Sequence, residues 1–228
     1  MPQRVVITGM GLLTALGNDV DACWQALLAG RSGVGPITRF DAGAFPTRIA
    51  AEVKDFDPGR YMDRKEARRM DLYSQFAMAA AQMAMDDSGL RLDREDCDRI
   101  GVVIGSGIGG IETHEDQNRK YLEGGPGRIS PFYVPMMIVD IAAGLVSIRY
   151  GLRGPNYSTV SACATSAHAI GDAFRMIKYG DADVMVAGGA EAAVTPMGLG
   201  GFSAMKALST RNDEPETASR PFDATRDG

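Results

Sequence analysis

Apolar residues fall along this chain in two alternating kinds of run. Short unbroken apolar stretches predict strands: Arg4 to Thr8 and Ile100 to Ile104 as buried ones, and Val184 to Ala187 as another. Tyr157 to Val160 is a shorter β-prone run. Between them lie segments with helical spacing. Asp19 to Leu28 predicts a helix ending at Gly30, and a long helix is expected from about Arg64 to Ser88. Its apolar positions Tyr73, Phe76, Ala77, Ala80, Met83 and Ala84 recur on one face. Met136 to Ile148, stopped at Gly151, and Ala164 to about Lys178 predict two more helices. Residues 31–62, rich in Gly, Pro and Asp, read as a long surface excursion. Strands alternating with helices make the fold class α/β, with a largely parallel central sheet.

Composition narrows the function classes. At 228 residues the chain can bury one substantial core, and 45% hydrophobic with 23% charged residues is ordinary for a soluble globular protein. A net charge of -5 argues against a general nucleic-acid binder. No apolar run approaches the roughly 20 residues of a membrane helix. The N-terminus, Met1-Pro2-Gln3-Arg4-Val5-Val6, runs straight into a strand pattern with no signal-peptide character. Cys23, Cys97 and Cys163 are an odd number at no metal-ligand spacing, so a reducing, cytoplasmic compartment is expected and no metal.

Cys163 is the residue with the most chemical promise. It lies between the β-prone run ending at Val160 and the small-residue helix start Ala164-Thr165-Ser166-Ala167. A strand-to-helix corner presents the sulfur where unpaired helix N–H groups favour negative charge, and a thiolate there is a good nucleophile for a thioester. The competing reading is a small apolar filler, the commonest use of a free cysteine. His168, five residues on, is rotated by about 140° around a helix and faces away from the thiol. His114, among Glu112, Glu115 and Asp116, reads as part of a solvated helix start.

Glycines mark two corners. Gly9-Met10-Gly11 fails as a dinucleotide fingerprint because Thr14 replaces the third glycine, which leaves a structural turn. Gly105-Ser106-Gly107-Ile108-Gly109-Gly110 lacks the closing Gly-Lys-Ser/Thr of a phosphate loop. Its glycines suit close backbone approach, with Ile108 as a mobile apolar plug. Arg64, Lys65, Arg68 and Arg69 form a basic cluster in an acidic chain, and Lys206 could extend it. It is either a solvated face paired with Asp63 and Glu66 or a docking patch for an acidic partner. Met136, Met137 and Phe202 could line an apolar pocket or simply fill core.

Together these segments resemble the β-ketoacyl-acyl-carrier-protein synthases, nearest the elongating type II synthases of bacterial fatty-acid synthesis. The resemblance is carried by Val5-Val6-Ile7-Thr8-Gly9-Met10-Gly11, by the 105–110 glycines and by Tyr150-Gly151-Leu152-Arg153-Gly154-Pro155-Asn156. It continues through Ser161-Ala162-Cys163-Ala164-Thr165-Ser166, the segment from Gly180 to Glu191, and Ser219-Arg220-Pro221-Phe222-Asp223. It implies a thiolase-like fold of α-β-α-β-α layers, usually a homodimer, of which residues 1–228 would be the N-terminal β-ketoacyl synthase domain. It implies that Cys163 accepts an acyl chain from acyl carrier protein or coenzyme A. A malonyl-carrier thioester then loses carbon dioxide and its carbanion attacks the acyl-enzyme, with no cofactor. Ile108 matches a gating position, Phe202 a pocket-side position, and Tyr133 and Met137 the lining of an acyl tunnel. Tyr133 stands where phenylalanine is common. Lys65, Arg68, Arg69 and Lys206 match the carrier-protein docking surface.

The resemblance also implies two catalytic histidines in the other half of such a fold, and this chain stops at Arg226-Asp227-Gly228, inside a family motif. A truncated chain with little condensation activity of its own is therefore expected. A naturally short chain or one completed by a partner stands behind that. Rival functions are a polyketide-type ketosynthase, a biosynthetic thiolase, and a non-catalytic subunit that shapes the tunnel of an active sister chain.

Overall fold

The structure, a computed structural model, describes residues 4–228. Met1, Pro2 and Gln3, which open the strand-like N-terminus, lie outside the described residues. In chain order the helices and strands are α1 (Val20–Leu28), β1 (Gly35–Pro36), β2 (Ile49–Ala50), α2 (Arg64–Ala67), α3 (Leu72–Ser88), β3 (Ile100–Gly105) and α4 (Ile111–Gly124). They continue as α5 (Tyr133–Met137), α6 (Ile141–Tyr150), β4 (Asn156–Tyr157), α7 (Thr165–Tyr179), β5 (Val184–Gly189) and α8 (Pro196–Ala204). They group into two compact units, residues 4–11 with 57–192 and residues 12–56 with 193–228.

The first unit is built on a parallel sheet in the order β4-β3-β5. Val102 lies opposite Asn156 on one side and Val186 on the other. Every residue of β3 is buried, as a central parallel strand with both faces covered requires. Its alternate residues Ile100, Val102 and Ile104 join Tyr73, Ala77, Met78, Ala81, Ala142 and Val146 in one core, so α3 and α6 cover that face. Val103, fully buried and outside that cluster, points to the opposite face, and α7 packs on β3 and β5.

Two expected helices are broken, each for a visible reason. The run from Arg64 to Ser88 divides into α2 and α3 because Asp71 starts a new helix. Its carboxylate accepts the Tyr73 N–H at 3.2 Å and, on its other oxygen, the Thr113 N–H at 2.9 Å and hydroxyl at 2.7 Å. Asp71 is buried, so those donors are what make the position tolerable. The run from Met136 to Ile148 divides at Ile138, whose backbone is extended and whose carbonyl accepts the buried Tyr73 hydroxyl at 2.5 Å. Burial pushes that phenol up to about 12.

The expected first strand does not form. Residues 4–10 carry no assigned strand, Ile7 is 81% exposed, and no strand among the described residues pairs with them. The segment is instead secured at its far end. A Cβ on Gly9 would sit 2.1 Å from the Ala84 carbonyl oxygen and one on Gly11 1.9 Å from that of Ala80, so these glycines lie flush on α3. The Met10 N–H donates to Asp87 at 2.9 Å. The strand expected from Tyr157 to Val160 is likewise reduced to Asn156–Tyr157.

In the second unit α1 is capped by Asp19, which accepts the Ala22 N–H at 2.7 Å, and α8 by Thr195, with Pro196 in the first turn. β1 and β2 pair antiparallel. Part of the presumed surface excursion is in fact interior: Thr47, Ile49 and Glu52 are buried. Glu52 accepts from the Thr38 N–H and hydroxyl, from the Arg39 N–H and from Lys54. Cys23 is a structural filler whose thiol donates to the Gly17 carbonyl.

Burial pushes the Glu52 carboxyl up, but Lys54, Thr38 and Arg39 together outweigh it and hold the group below its ordinary value of 4.5. A depressed folded value stabilises the protein above the unfolded value, and that contribution is lost as pH falls through 4.5 toward the folded one. Thermal melts taken downward from neutral pH should show Tm dropping more steeply in the parent than in Glu52→Gln. The variant should be less stable near pH 7 by about 1–3 kcal/mol, the cost of unmatched buried donors. Parallel Tm profiles would remove the assignment.

Candidate active site around Cys163

The carboxyl ends of the three parallel strands converge on one place. β3 ends at Gly105, β4 at Tyr157 and β5 at Gly189, and the loops that follow carry Ser106–Gly110, Ser158–Ala164 and Glu191. This edge of an open parallel sheet is where ligands bind in α/β proteins.

Cys163 lies in a short 3-10 turn, Ala162–Ala164, directly before α7, and is the exposed one of the three free cysteines. That exposure disfavours the filler reading, which Cys23 satisfies instead. The preceding Ala162 has φ 50°, a left-handed conformation that costs a non-glycine residue of order 1 kcal/mol and turns the chain sharply into the helix. Threonines secure the turn. The Ser161 N–H donates to the Thr165 hydroxyl at 2.8 Å, and the Thr159 hydroxyl donates to the Thr165 carbonyl at 3.0 Å. Thr165 is buried and was part of the recognisable motif, but its bracing role is visible only in three dimensions.

Glycine makes this approach possible. A Cβ on Gly105 would stand 2.2 Å from Thr165 Cγ2 and 2.6 Å from the Thr159 carbonyl oxygen, and one on Gly189 2.9 Å from Ser166 Cβ. The first turn of α7 therefore sits directly against the ends of β3 and β5.

The structure brings Ile108, Met137 and Tyr133 into one neighbourhood. Ile108 is 40% exposed on the glycine loop. The Gly110 N–H donates to the Met137 carbonyl at 3.1 Å, and a Cβ on Gly109 would lie 2.8 Å from that oxygen. Tyr133 opens α5 and its hydroxyl lies 2.6 Å from His114 Nδ1. His114 is thus partnered rather than merely solvated. His168 hydrogen-bonds Ser161 at 2.6 Å through Nδ1.

Lys65, Arg68 and Arg69 are exposed on and just after α2. Glu66, expected to pair with them, instead binds Arg149 at 2.6 Å. Asp63 spends its carboxylate on the Glu66 and Lys65 backbone N–H groups, which hold it below the ordinary range. Arg69 lies over the Phe132 ring at 4.5 Å. Phe202 on α8 and Lys206 just beyond it are exposed residues of the second unit. Among the described residues no helix is long and apolar enough to cross a membrane, and no cluster of ligating side chains suits a metal ion.

An exposed cysteine at a strained strand-to-helix corner of a parallel α/β sheet is placed where a thiol can act as a nucleophile. The family described as "Beta-ketoacyl synthase, N-terminal domain" matches residues 2–228, and the chain belongs to it. It is 58% identical over 226 residues to "3-oxoacyl-[acyl-carrier-protein] synthase 2" of Coxiella burnetii, covering 99% of this chain and 55% of that protein. The chain thus spans about half the length of the curated relatives it matches. A β-ketoacyl synthase from Burkholderia phymatum superposes with TM-score 0.88 at 38% identity, over all of this chain and 56% of its own. A type II polyketide acyl-carrier protein in complex with its ketosynthase, bound to the hexaketide, gives TM-score 0.79 at 25% identity, over 92% and 58%. The fold is thiolase-like, and the chain is the α/β N-terminal half of it.

Gly105→Ala should displace Thr165 and with it the Cys163 turn. Expected outcomes are a stability loss of about 1–3 kcal/mol and a changed rate of Cys163 alkylation by iodoacetamide, read by peptide mass spectrometry. Alkylation and Tm equal to the parent's would show that the corner does not depend on that glycine.

Proposed function

We propose that this chain is the N-terminal β-ketoacyl synthase domain, residues 1–228, of a 3-oxoacyl-acyl-carrier-protein synthase, and that Cys163 is its acyl acceptor. One observation carries the reading: the exposed thiol sits at the start of α7, beyond the carboxyl ends of β3, β4 and β5. Its sulfur attacks the carbonyl carbon of an acyl thioester, the carrier thiolate leaves, and an acyl-enzyme forms. In the whole synthase a malonyl thioester then loses carbon dioxide, and the carbanion attacks the acyl carbonyl and releases Cys163. That step needs charge stabilisation at the enolate oxygen. On the family resemblance the two histidines that serve this step lie in the other half of the fold, so condensation is assigned to the whole synthase and little is expected of these residues alone.

Ile108, Tyr133, Met137 and Phe202 are assigned to the acyl pocket on the family resemblance. Lys65, Arg68, Arg69 and Lys206 are assigned to acyl-carrier-protein docking. The pairing of Glu66 with Arg149 supports this, because it commits one of the two carboxylates of this segment to a partner outside the cluster. A homodimer in the cytoplasm completes the reading, and the free state of all three cysteines fits a reducing compartment. Fatty-acid elongation is preferred over polyketide synthesis on the 58% identity to a synthase 2.

Incubation with a long-chain acyl carrier protein should add the acyl mass to the protein, and Cys163→Ala should abolish the adduct. Loading that survives in the variant would remove Cys163 as acceptor. Reversing charge at Lys65 and Arg68 should weaken carrier binding, most steeply at low salt where screening is least. An affinity insensitive to both would return α2 to a plain solvated face.

A further inference from the structure

One side chain controls the backbone of the loop that carries Ile108. Glu191 lies two residues beyond the end of β5. Its Oε2 accepts the Gly107 N–H at 2.8 Å and the Ile108 N–H at 3.1 Å, and its Oε1 accepts the Ser106 hydroxyl at 3.2 Å. The buried Ser106 oxygen in turn accepts the Gly109 N–H at 3.0 Å. Four consecutive residues therefore depend on one carboxylate, directly or through a single hydroxyl.

The loop is shaped to admit that carboxylate. A Cβ on Gly107 would stand 2.9 Å from Glu191 Oε2, so a larger residue there would push the latch away. The same hypothetical atom would lie 3.5 Å from the Ala162 Cα, next to Cys163, which places the latched loop beside the nucleophile's turn. Glycines at 105, 107, 109 and 110 give this segment little conformational preference of its own. Ile108, its single bulky side chain, is 40% exposed, and its backbone N–H is one of those held by the carboxylate.

We propose that Glu191 is a positioning residue that latches residues 106–109 and thereby sets how far Ile108 obstructs the approach of long acyl chains to Cys163. The idea rests on Cys163 as acyl acceptor, but its test does not require carrier-protein chemistry. Glu191→Ala removes the latch. Glu191→Gln keeps an amide oxygen able to accept both N–H groups while its NH2 donates to Ser106. Ser106→Ala frees Gly109 alone.

Two readouts decide it: amide hydrogen exchange, and the rates at which Cys163 is alkylated by iodoacetamide and by its N-dodecyl derivative. In Glu191→Ala, exchange at Gly107, Ile108 and Gly109 should rise by about tenfold or more while β3 and β5 stay protected. The alkylation ratio should shift toward the long probe. Glu191→Gln should recover most of both effects, and Ser106→Ala should expose Gly109 only. Unchanged loop exchange in Glu191→Ala would overturn the latch. Faster loop exchange with an unchanged probe ratio would overturn its control of access, and faster exchange throughout the sheet would make Glu191 a brace of the fold instead. Failure of the parent to load from acyl carrier protein would sink the acyl-acceptor reading while leaving these outcomes legible.

Discussion

The close seating of α7 on the ends of β3 and β5 is the constraint on which the rest of the site depends. Gly105 and Gly189 have no side chain because Thr165, Thr159 and Ser166 occupy the space one would need. That contact brings the Cys163 turn to the sheet edge, and Thr165 closes it with two hydrogen bonds. The turn in turn requires Ala162 in a left-handed conformation, a local cost that only a well-determined surrounding sustains. The exposed thiol, the strain and the glycines are thus consequences of one packing decision: helix against strand ends with nothing between.

Much of this was legible in the sequence, and the reasons are physical. The central strand β3 announces itself as a β-branched run because both its faces are covered, while β5, a similar run in the sequence, is only half-buried at the edge of the sheet. α1 is legible from Asp19, whose capping role follows from residue chemistry alone. Cys163 stands out in the sequence because it lies between a strand pattern and small helix formers, although that pattern leaves a small apolar filler equally open and only the exposure of the thiol disfavours it. What the pattern could not show was decided by distant partners. Asp71 breaks the long helix because it serves Thr113, 42 residues away, as well as its own cap. The Val5-Val6-Ile7 run looks like a buried strand by composition, yet pairing is a property of two segments, and none of the described residues supplies the second.

The same distinction separates the site residues that sequence reasoning found from those it missed. Ile108 and Cys163 stand out because their types are unusual where they occur: one bulky side chain among glycines, one thiol at a corner. Thr165 and Glu191 lie in segments that carry the resemblance, but their residue types are ordinary and suggest no role of their own. Their roles arise from hydrogen bonds that span 4 residues in one case and more than 80 in the other. A carboxylate just past a strand end is a solvated charge by default. It becomes structural only when two backbone N–H groups and a hydroxyl point at it, which neither composition nor periodicity encodes.

The basic cluster shows how a charge acquires meaning by losing its partner. Read along the helix, Glu66 and Asp63 would neutralise Lys65, Arg68 and Arg69 and leave an unremarkable surface. In three dimensions Asp63 is committed to the α2 N-terminus and Glu66 to Arg149 on α6, so both carboxylates serve the fold. The Asp63 charge still acts through space on Lys65 and Arg69, and exposed positive charge remains there in a chain whose net charge is -5. Such a patch contributes little stability, but it speeds encounter with an anionic partner over distances of about one Debye length, roughly 10 Å at moderate salt. The internal demand for a helix cap and for the Glu66–Arg149 ion pair therefore determines where the two carboxylates of this segment are spent.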